Sequence, residues 1–220
     1  MAVALPAFII AASLADAVCA APVLPSGGSV QAGSATIQSP MGGRLTIDQT
    51  SAKAVINWSS FSIGSGGQVQ FDNGAGVTLN RVTGGSLTQI NGVLSATGGV
   101  YVLNPNGVIV GKSGVVNVGG AFVASTLDMT DGQFMRGGDL SFAGASSASV
   151  SNSGLIISSA GDVALIAAQV TNDGQIQAPG GDAALAAGHQ VVLRSQAGDD
   201  GKLTVLIGGP GTSVTNTGLI

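Results

Sequence analysis

Two consecutive segments decide the fold: "SVSNSGLIISSAGDVALIAA" at residues 149–168 is followed directly by "QVTNDGQIQAPGGDAALAAG" at residues 169–188. The second segment repeats the first without a gap, because apolar residues, asparagines and glycines recur at the same positions. The matching pairs are Val150 and Val170, Asn152 and Asn172, Gly154 and Gly174, Ile156 and Ile176, Gly161 and Gly181, Asp162 and Asp182, and Leu165 and Leu185. Self-similarity at a fixed period of about twenty residues is the signature of a solenoid, in which each repeat stacks on its neighbours.

Apolar residues within each repeat alternate with small or neutral residues, and this period of two predicts strands rather than helices. Val163, Leu165 and Ala167 follow the pattern, as do Val69 and Phe71. The spacings of leucine-rich repeats and of calcium-binding nonapeptides are both missing. The sequence therefore predicts an all-β protein built as a parallel β-helix. With rungs about 4.8 Å apart, roughly nine or ten of them would form a rod about 45 Å long.

Three asparagines recur with the repeat. Asn152, Asn172 and Asn216 each follow a valine by two positions, so in extended strands they face the same side of the coil. Stacked amides can hydrogen bond to one another along the axis, which predicts a structural ladder at a corner. The copy at residues 214–218 begins about two periods beyond Val170, which predicts two rungs over that distance. Asn73 lies in a glycine-rich stretch and is expected in a loop.

Composition agrees with β structure and excludes some functions. The 220 residues include 36 glycines, 45% are hydrophobic, 8% are charged, and glutamate is absent. Helix surfaces normally use glutamate and lysine, so this composition disfavours helices. The net charge of −4 and the scarcity of aromatic residues leave no basic patch for nucleic acid.

The first twenty residues are typical of a secretory signal peptide for the Sec translocon. An apolar run over residues 3–15 is too short to span a bilayer, and small residues precede a cleavage site between Ala20 and Ala21. Cys19 is the only cysteine, so the mature chain over residues 21–220 would carry no thiol.

Residues that could carry chemistry are few, and the sequence predicts neither a metal nor another cofactor. His189 is the only histidine, whereas a zinc site needs about four nitrogen or sulfur ligands. Asp128 and Asp131, like Asp199 and Asp200, are expected to be solvated loop carboxylates rather than cation ligands. A polysaccharide-cleaving β-helix is the enzymatic alternative, and it would require aspartates within about 10 Å of one another across a groove.

The stretch "VLNPNGVIVGKSG" at residues 102–114 combines a turn with a partial phosphate-binding pattern. A phosphate loop needs four residues between its first glycine and Gly-Lys-Ser, but only Val108, Ile109 and Val110 separate Gly107 from Gly111. These three β-branched residues predict a short strand instead. Before them, Asn104, Pro105, Asn106 and Gly107 match the preferences of a type I turn position by position.

Several segments together resemble a known family. They are "QTSAKAVINWSSFSIGSGGQVQF" (49–71), "VTLNRVTGG" (77–85), "VYVLNPNGVIVGKSGVVNVGGAFVASTLDMT" (100–130) and the Val-x-Asn-x-Gly rungs. The chain resembles the two-partner secretion domain of filamentous-haemagglutinin-type exoproteins, with the high-molecular-weight adhesin branch as the nearest. The resemblance implies a right-handed parallel β-helix with an N-terminal cap and extra-helical strands over residues 21–220.

The resemblance also implies a role outside the cell for a Gram-negative bacterial protein. The domain would be the N-terminal part of a longer adhesin-like exoprotein, secreted or held at the cell surface, and would be recognised by the POTRA domains of an outer-membrane β-barrel transporter. The family's Asn-Pro-Asn-Gly secretion signature falls on Asn104, Pro105, Asn106 and Gly107. A second signature of some relatives is absent, and Ser39–Gly42 is its nearest counterpart. Adhesion to a host-surface or carbohydrate receptor is the alternative function.

Overall fold

The repeating segments form short strands that wind into a parallel β-helix. The computed structural model describes residues 21–194 and 203–220. Each complete turn of the helix contributes one strand to each of three sheets, so strands from successive turns lie side by side in parallel register. The all-β fold and the parallel β-helix predicted from the repeat are confirmed.

Sheet 1 and sheet 3 run almost the whole length of the coil, whereas sheet 2 is shorter. Sheet 1 consists of β1 (Ser29–Ala32), β4 (Lys53–Trp58), β6 (Val77–Val82), β9 (Gly99–Leu103), β12 (Phe122–Ser125), β16 (Val163–Ala167) and β19 (Ala183–Ala187). Sheet 2 consists of β7 (Thr88–Ile90), β10 (Val108–Val110), β14 (Ser149–Asn152), β17 (Gln169–Asn172) and β22 (Ser213–Asn216). Sheet 3 consists of β2 (Ala35–Ile37), β3 (Arg44–Gln49), β5 (Gln68–Asp72), β8 (Val93–Ala96), β11 (Val115–Val118), β15 (Leu155–Ser158) and β18 (Gln175–Gln177).

Two segments leave the coil and pack together outside it. One contains helix α1 (Asp131–Arg136) and β13 (Leu140–Ala143), and the other contains β20 (Gln190–Leu193) and β21 (Leu203–Ile207). Strands β13, β20 and β21 form a small antiparallel sheet, here called the outer sheet. The side chain of Thr130 accepts a hydrogen bond of 3.2 Å from Gln133 N and so caps α1.

The number of rungs is smaller than the sequence predicted. Sheet 1 contains six parallel strands in the described residues, which corresponds to about six turns rather than nine or ten. The spacing of the third repeat was also misread, because β22 pairs directly with β17 and Val214 lies beside Val170. Of the residues between β17 and β22, only those of β18 and β19 belong to the coil, and those of β20 and β21 leave it for the outer sheet. The interval therefore contains one rung rather than the two that were predicted.

The interior of the coil is apolar, and its N-terminal end is filled by aromatic rings. Trp58 packs edge-on against Phe61 at 5.6 Å between ring centroids, and Phe61 stacks on Phe71 at 6.5 Å. The indole nitrogen of Trp58 donates a hydrogen bond of 2.9 Å to Oδ1 of the buried Asn80. Strands β1 and β2 pair antiparallel with β4 and β3 at this end, which forms the expected cap over the first rungs.

A second apolar cluster lies between the outward face of sheet 1 and the extra-helical segments. Tyr101, Val123 and Ile166 project outward from sheet 1 and join Phe134 of α1 and Phe142 of β13 in this cluster. Sheet 1 is therefore buried on both faces over β9, β12 and β16. Two-sided burial explains why these strands are apolar at nearly every position, so that the alternation of Val163, Leu165 and Ala167 marks only the inward face of β16.

Asn73 does not lie in an open loop, contrary to expectation. Its side chain is 4% exposed, and Nδ2 donates hydrogen bonds to Thr78 Oγ1 and Gly99 O at 3.1 and 2.9 Å. Its Oδ1 accepts one from Gly98 N at 2.7 Å. Asn73 is thus a buried corner residue that satisfies backbone groups of the next rung.

Candidate functional site

The segment from Asn104 to Gly107 is a tight turn between sheet 1 and sheet 2. It connects β9 to β10, and Gly107 N donates a hydrogen bond of 3.0 Å to Asn104 O, which closes the four-residue turn. Asn106 N donates to Asn104 Oδ1 at 2.9 Å, so the first asparagine also forms an Asx turn around the proline. Gly107 has φ of +117°, a conformation that side chains other than glycine rarely adopt.

Half of this turn is buried and hydrogen bonds to the preceding rung of the coil. Asn104 is fully buried, and its Nδ2 donates to Ser86 O at 3.0 Å and to Thr88 Oγ1 at 2.9 Å on the preceding rung. Gly107 O accepts a hydrogen bond of 2.9 Å from Thr88 N. These contacts fix the turn in register with β7. The buried half is consequently part of the scaffold.

The other half of the turn faces solvent. Pro105 and Asn106 are both exposed. Asn106 Nδ2 donates to Gly84 O at 2.9 Å, and Pro105 O accepts from Ser146 Oγ at 2.6 Å. Ser146 belongs to the extra-helical segment that follows β13, so two distant parts of the chain hold the turn from either side. The turn's exposed tip is therefore held in one conformation and presented outward.

Sequence reasoning did not identify the residues that hold the turn in place. Ser86 and Thr88 become neighbours of Asn104 only through the rung register, which pairs Thr88 with Val108. Ser146 lies in a serine- and alanine-rich stretch without periodicity, and no local pattern signals its contact with Pro105.

The neighbouring turn does not form a phosphate site. Val108, Ile109 and Val110 form strand β10, as predicted from their branching. Gly114 N donates to Gly111 O at 2.8 Å, which closes this corner turn, and Ser113 Oγ donates to Asn91 O at 2.8 Å on the preceding rung. Lys112 is an exposed tip residue of this corner turn.

The aspartates near the start of α1 are exposed to solvent, and both accept hydrogen bonds from one arginine. Arg81 Nε donates to Asp128 Oδ1 at 2.9 Å, its Nη1 donates to Asp131 Oδ1 at 2.5 Å, and its Nη2 donates to Met129 O at 2.6 Å. Burial works to lower the pKa of Arg81, but its hydrogen bonds and charge interactions with the two aspartates outweigh burial and raise the pKa. Arg81 therefore clamps the start of α1 to sheet 1.

His189 lies at the junction of the coil and the outer sheet. Its Nδ1 is buried and has no hydrogen-bond partner within residues 21–194 and 203–220. In those same residues, no three His, Cys or acidic side chains come together in a way that could hold a metal ion. Asp199 and Asp200 lie outside the described residues, as do Ala20 of the cleavage site and the whole of residues 1–20. The described part of the chain contains no helix long and apolar enough to cross a membrane.

The fold and the turn together define a class: a parallel β-helix with an antiparallel cap, an extra-helical sheet and a fixed, outward-facing Asn-Pro-Asn-Gly turn. The chain belongs to the family of TPS secretion domains, whose sequence model matches residues 21–219. Such domains are parts of proteins that Gram-negative bacteria export with the help of an outer-membrane transporter. The resemblance seen in the sequence is thereby confirmed.

Relatives and solved structures agree with this assignment. The chain is 45% identical over 108 residues to the heme/hemopexin-binding protein of Haemophilus influenzae, and the match covers 48% of this chain and 12% of that protein. The chain thus spans about an eighth of that relative's length. It superposes on the HMW1 secretion domain from Haemophilus influenzae with a TM-score of 0.79 and 32% identity, covering 89% of this chain and 53% of the other. The filamentous hemagglutinin secretion domain shares the fold at a TM-score of 0.57 and 16% identity, covering 87% and 74% of the two chains.

Proposed function

We propose that this chain is the targeting domain of a longer exported protein and that the POTRA domains of its outer-membrane β-barrel transporter recognise it at the Asn104–Gly107 turn. The observation that carries the proposal is that one half of the turn is buried and the other half is exposed. Asn104 and Gly107 are buried and bonded to the coil, whereas Pro105 and Asn106 are exposed at its surface. Four residues that served only to carry the chain from sheet 1 to sheet 2 would not need two other segments to hold their exposed tip.

Export in this proposal begins with the signal peptide over residues 1–20, which directs the chain to the Sec translocon and is cleaved between Ala20 and Ala21. The family match begins at residue 21 and so supports this boundary. After crossing the outer membrane, the domain nucleates folding of the β-helix outside the cell. Each strand pairs with the strand of the preceding rung, so a folded rung offers the next one a template and opposes backward sliding.

Changes confined to the exposed half of the turn test the proposal. Pro105→Ala combined with Asn106→Ala removes the tip side chains and leaves Asn104 and Gly107 in place, so secretion should fall at least about tenfold while the melting temperature stays close to that of the wild type. The matched control is Lys112→Ala with Ser113→Ala, which truncates the exposed tip of the neighbouring corner turn. The blot compares secreted and periplasmic protein. Equal secretion by both double variants would show that the transporter does not recognise the exposed half of the turn.

Adhesion by the domain itself is the second candidate. The observation in its favour is the similarity to a heme/hemopexin-binding protein, although the matched region covers 12% of that protein. A binding assay of the purified domain with hemopexin separates the two functions, since a targeting domain need not bind it.

A further inference from the structure

A groove lies beside the second apolar cluster, where the outward face of sheet 1 meets the extra-helical segments. Its floor comes from sheet 1 and its cover from the outer sheet. We name it the sheet 1 groove and define it by Lys53, Val77, Gly99, Ala121, Leu140 and Leu193. Its volume is about 400 Å³, which is within the range of sites that hold small molecules. The Asn104–Gly107 turn does not line it, so this groove is separate from the site described above.

The floor of the sheet 1 groove is one row of residues that crosses neighbouring strands. Lys53 pairs with Val77, and Val77 pairs with Gly99. Backbone hydrogen bonds continue the row through Ala121 to Asp162 on the next two strands. With strands about 4.8 Å apart, the Cα atoms of Lys53 and Asp162 are about 19 Å from each other, which exceeds the Debye length of about 8 Å. Asp162 therefore neither neutralises Lys53 nor repels an anion bound there.

Lys53 supplies a cation without an acidic partner at one end of the groove. Its Nζ donates a hydrogen bond of 2.7 Å to Phe134 O and lies 5.4 Å from the centroid of the Phe134 ring. No acidic side chain in residues 21–194 and 203–220 forms an ion pair with it. Burial lowers the pKa of Lys53, and a bound anion would counteract this effect. An ammonium group has three donors, so Lys53 keeps N–H groups for a ligand.

The rest of the groove favours an apolar ligand body. Most of its lining residues are glycine, alanine, valine or leucine. Arg194 Nη1 donates to Asp139 Oδ2 at 2.7 Å, Asp162 Oδ1 accepts a hydrogen bond of 2.8 Å from Asp182 N, and Tyr101 is only 7% exposed. A sugar in this groove would leave several hydroxyl groups without partners, which is costly. An apolar chain has no such groups to satisfy.

We propose that the sheet 1 groove binds a medium-chain monocarboxylate, such as a free fatty acid, with its carboxylate on Lys53 and its chain over Gly99 and Ala121. The small side chains of the floor leave room for the chain, and Leu140 and Leu193 cover it from the outer sheet. The groove is complete only when the outer sheet has packed on sheet 1, so the site acts in the folded domain after export. It is independent of how the transporter recognises the chain.

Three probes that differ in charge or chain length test the ligand class by titration calorimetry with the purified folded chain. Decanoate carries the carboxylate and the chain, decyltrimethylammonium carries the same chain with the opposite charge, and butyrate carries the carboxylate on a short chain. We expect decanoate to bind, and the other two to bind at least about tenfold more weakly, because Lys53 repels the cation and butyrate buries less apolar surface. In NMR spectra of the isotope-labelled chain, decanoate should shift the amide signals of Val77, Gly99 and Ala121.

Two substitutions test the position of the ligand. Lys53→Met removes the charge and should weaken decanoate binding by about fivefold, whereas Lys53→Arg keeps the charge and should restore most of the affinity. Ala121→Leu fills the floor without removing a polar contact and should weaken binding by at least about tenfold. The matched controls are Lys112→Met and Ala143→Leu, because both residues are exposed and lie outside the groove. Both controls should stay within about twofold of the wild type.

Thermal melts establish that each variant is folded, and Ala121→Leu keeps the test decisive if Lys53→Met loosens α1. Absence of decanoate binding, or equal affinities for decanoate and decyltrimethylammonium, would overturn the proposed ligand. Undiminished decanoate binding by Ala121→Leu, with NMR shifts elsewhere in the chain, would overturn the proposed site. All these measurements use the purified folded chain, so their failure leaves the secretion role of the Asn104–Gly107 turn unaffected.

Discussion

The side-chain amide nitrogen of Asn152 donates a hydrogen bond of 2.8 Å to the amide oxygen of Asn172 on the next rung. Asn172 Nδ2 in turn donates to Asn216 Oδ1 at 2.8 Å, so the three amides form a continuous chain along the coil axis. Asn152 and Asn172 are buried. A polar chain in this position stabilises the coil only while every member keeps its partners.

Replacing the middle asparagine should break this chain. Asn172→Leu leaves Asn152 Nδ2 without its amide partner at a buried corner, and we expect a loss of about 1–3 kcal/mol in the free energy of unfolding, or about 2–12 °C in melting temperature. Asn117→Leu is the matched control, because Asn117 is an exposed residue of strand β11. Thermal melts followed by circular dichroism decide the outcome. Equal melting temperatures for the two variants would show that the amide chain contributes little.

Glycines form a second ladder at the same corners. A Cβ atom added to Gly154 would lie 2.4 Å from both Gly111 O and Gly114 O, and one added to Gly174 would lie 2.3 Å from Gly154 O. Each glycine therefore lets a rung approach the backbone of the rung before it. Gly154→Ala should force the rungs apart and lower the free energy of unfolding by about 1–3 kcal/mol, as overpacking does in other cores.

Gly208→Ala provides the control for this prediction, since an added Cβ there meets no atom within 4 Å. Chemical denaturation measures both free energies. A Gly154→Ala variant as stable as Gly208→Ala would show that the corner can expand without strain.

Arg81 holds the extra-helical helix on the coil, and its removal should loosen that unit locally. Its side chain is 14% exposed, whereas its partners Asp128 and Asp131 are 56% and 42% exposed, so solvent screens part of the attraction. For Arg81→Met we expect a loss of about 1–3 kcal/mol, below the range for fully buried pairs. Amide hydrogen exchange should accelerate in residues 127–143 and stay unchanged in β6 and β9.

Arg194→Met tests whether burial matters for this clamp. Arg194 donates to Asp139 Oδ2 at 2.7 Å, but its side chain is 39% exposed, so its loss should cost only about 0–1 kcal/mol. Equal effects of the two substitutions on hydrogen exchange would mean that the greater burial of Arg81 adds nothing to its hold on α1.

The fold was predictable because its signal is local and repeated. Each rung carries its own alternation, and the period of residues 149–188 places neighbouring strands in the register observed, with Ser151 beside Thr171. The extra-helical segments repeat nothing, and β13 pairs with β20 across a long stretch of chain, so only the family resemblance pointed to them. Ile166, like Tyr101 and Val123, carries a local hint, because a large apolar residue at an outward position indicates that another layer covers the sheet.

The candidate site was predictable only in part. Proline, asparagine and glycine preferences define the turn at residues 104–107 without any knowledge of its surroundings. The division into a buried and an exposed half depends on the neighbouring rung and on Ser146, which the sequence does not place beside Pro105. The position of the third repeat, at Val214, was wrongly predicted for the same reason. The segment that leaves the coil before it makes the interval from Val170 about as long as two rungs, although the two residues lie on neighbouring strands.

A designed disulfide between neighbouring strands tests both the strand register and the way in which the chain is exported. Ser151 and Thr171 are direct neighbours on the parallel strands β14 and β17, both partly exposed, so their Cα atoms lie about 4.8 Å apart, within the about 4.4–6.8 Å that a disulfide spans. The chain from residue 21 onward has no cysteine, so Ser151→Cys with Thr171→Cys introduces the only disulfide that this part of the chain can form.

If the chain crosses the outer membrane unfolded, this bond should hinder it. Oxidation in the periplasm closes a loop that must then pass the transporter as a doubled chain, so secretion of the double variant should fall severalfold, and a reductant should restore it. Each single variant should be secreted normally, which controls for the substitutions themselves. Non-reducing gels of the purified folded protein check that the bond forms, because its absence there would show that the strands cannot accept a disulfide. Full secretion of fully bonded protein would instead show that the transporter passes a looped or folded domain.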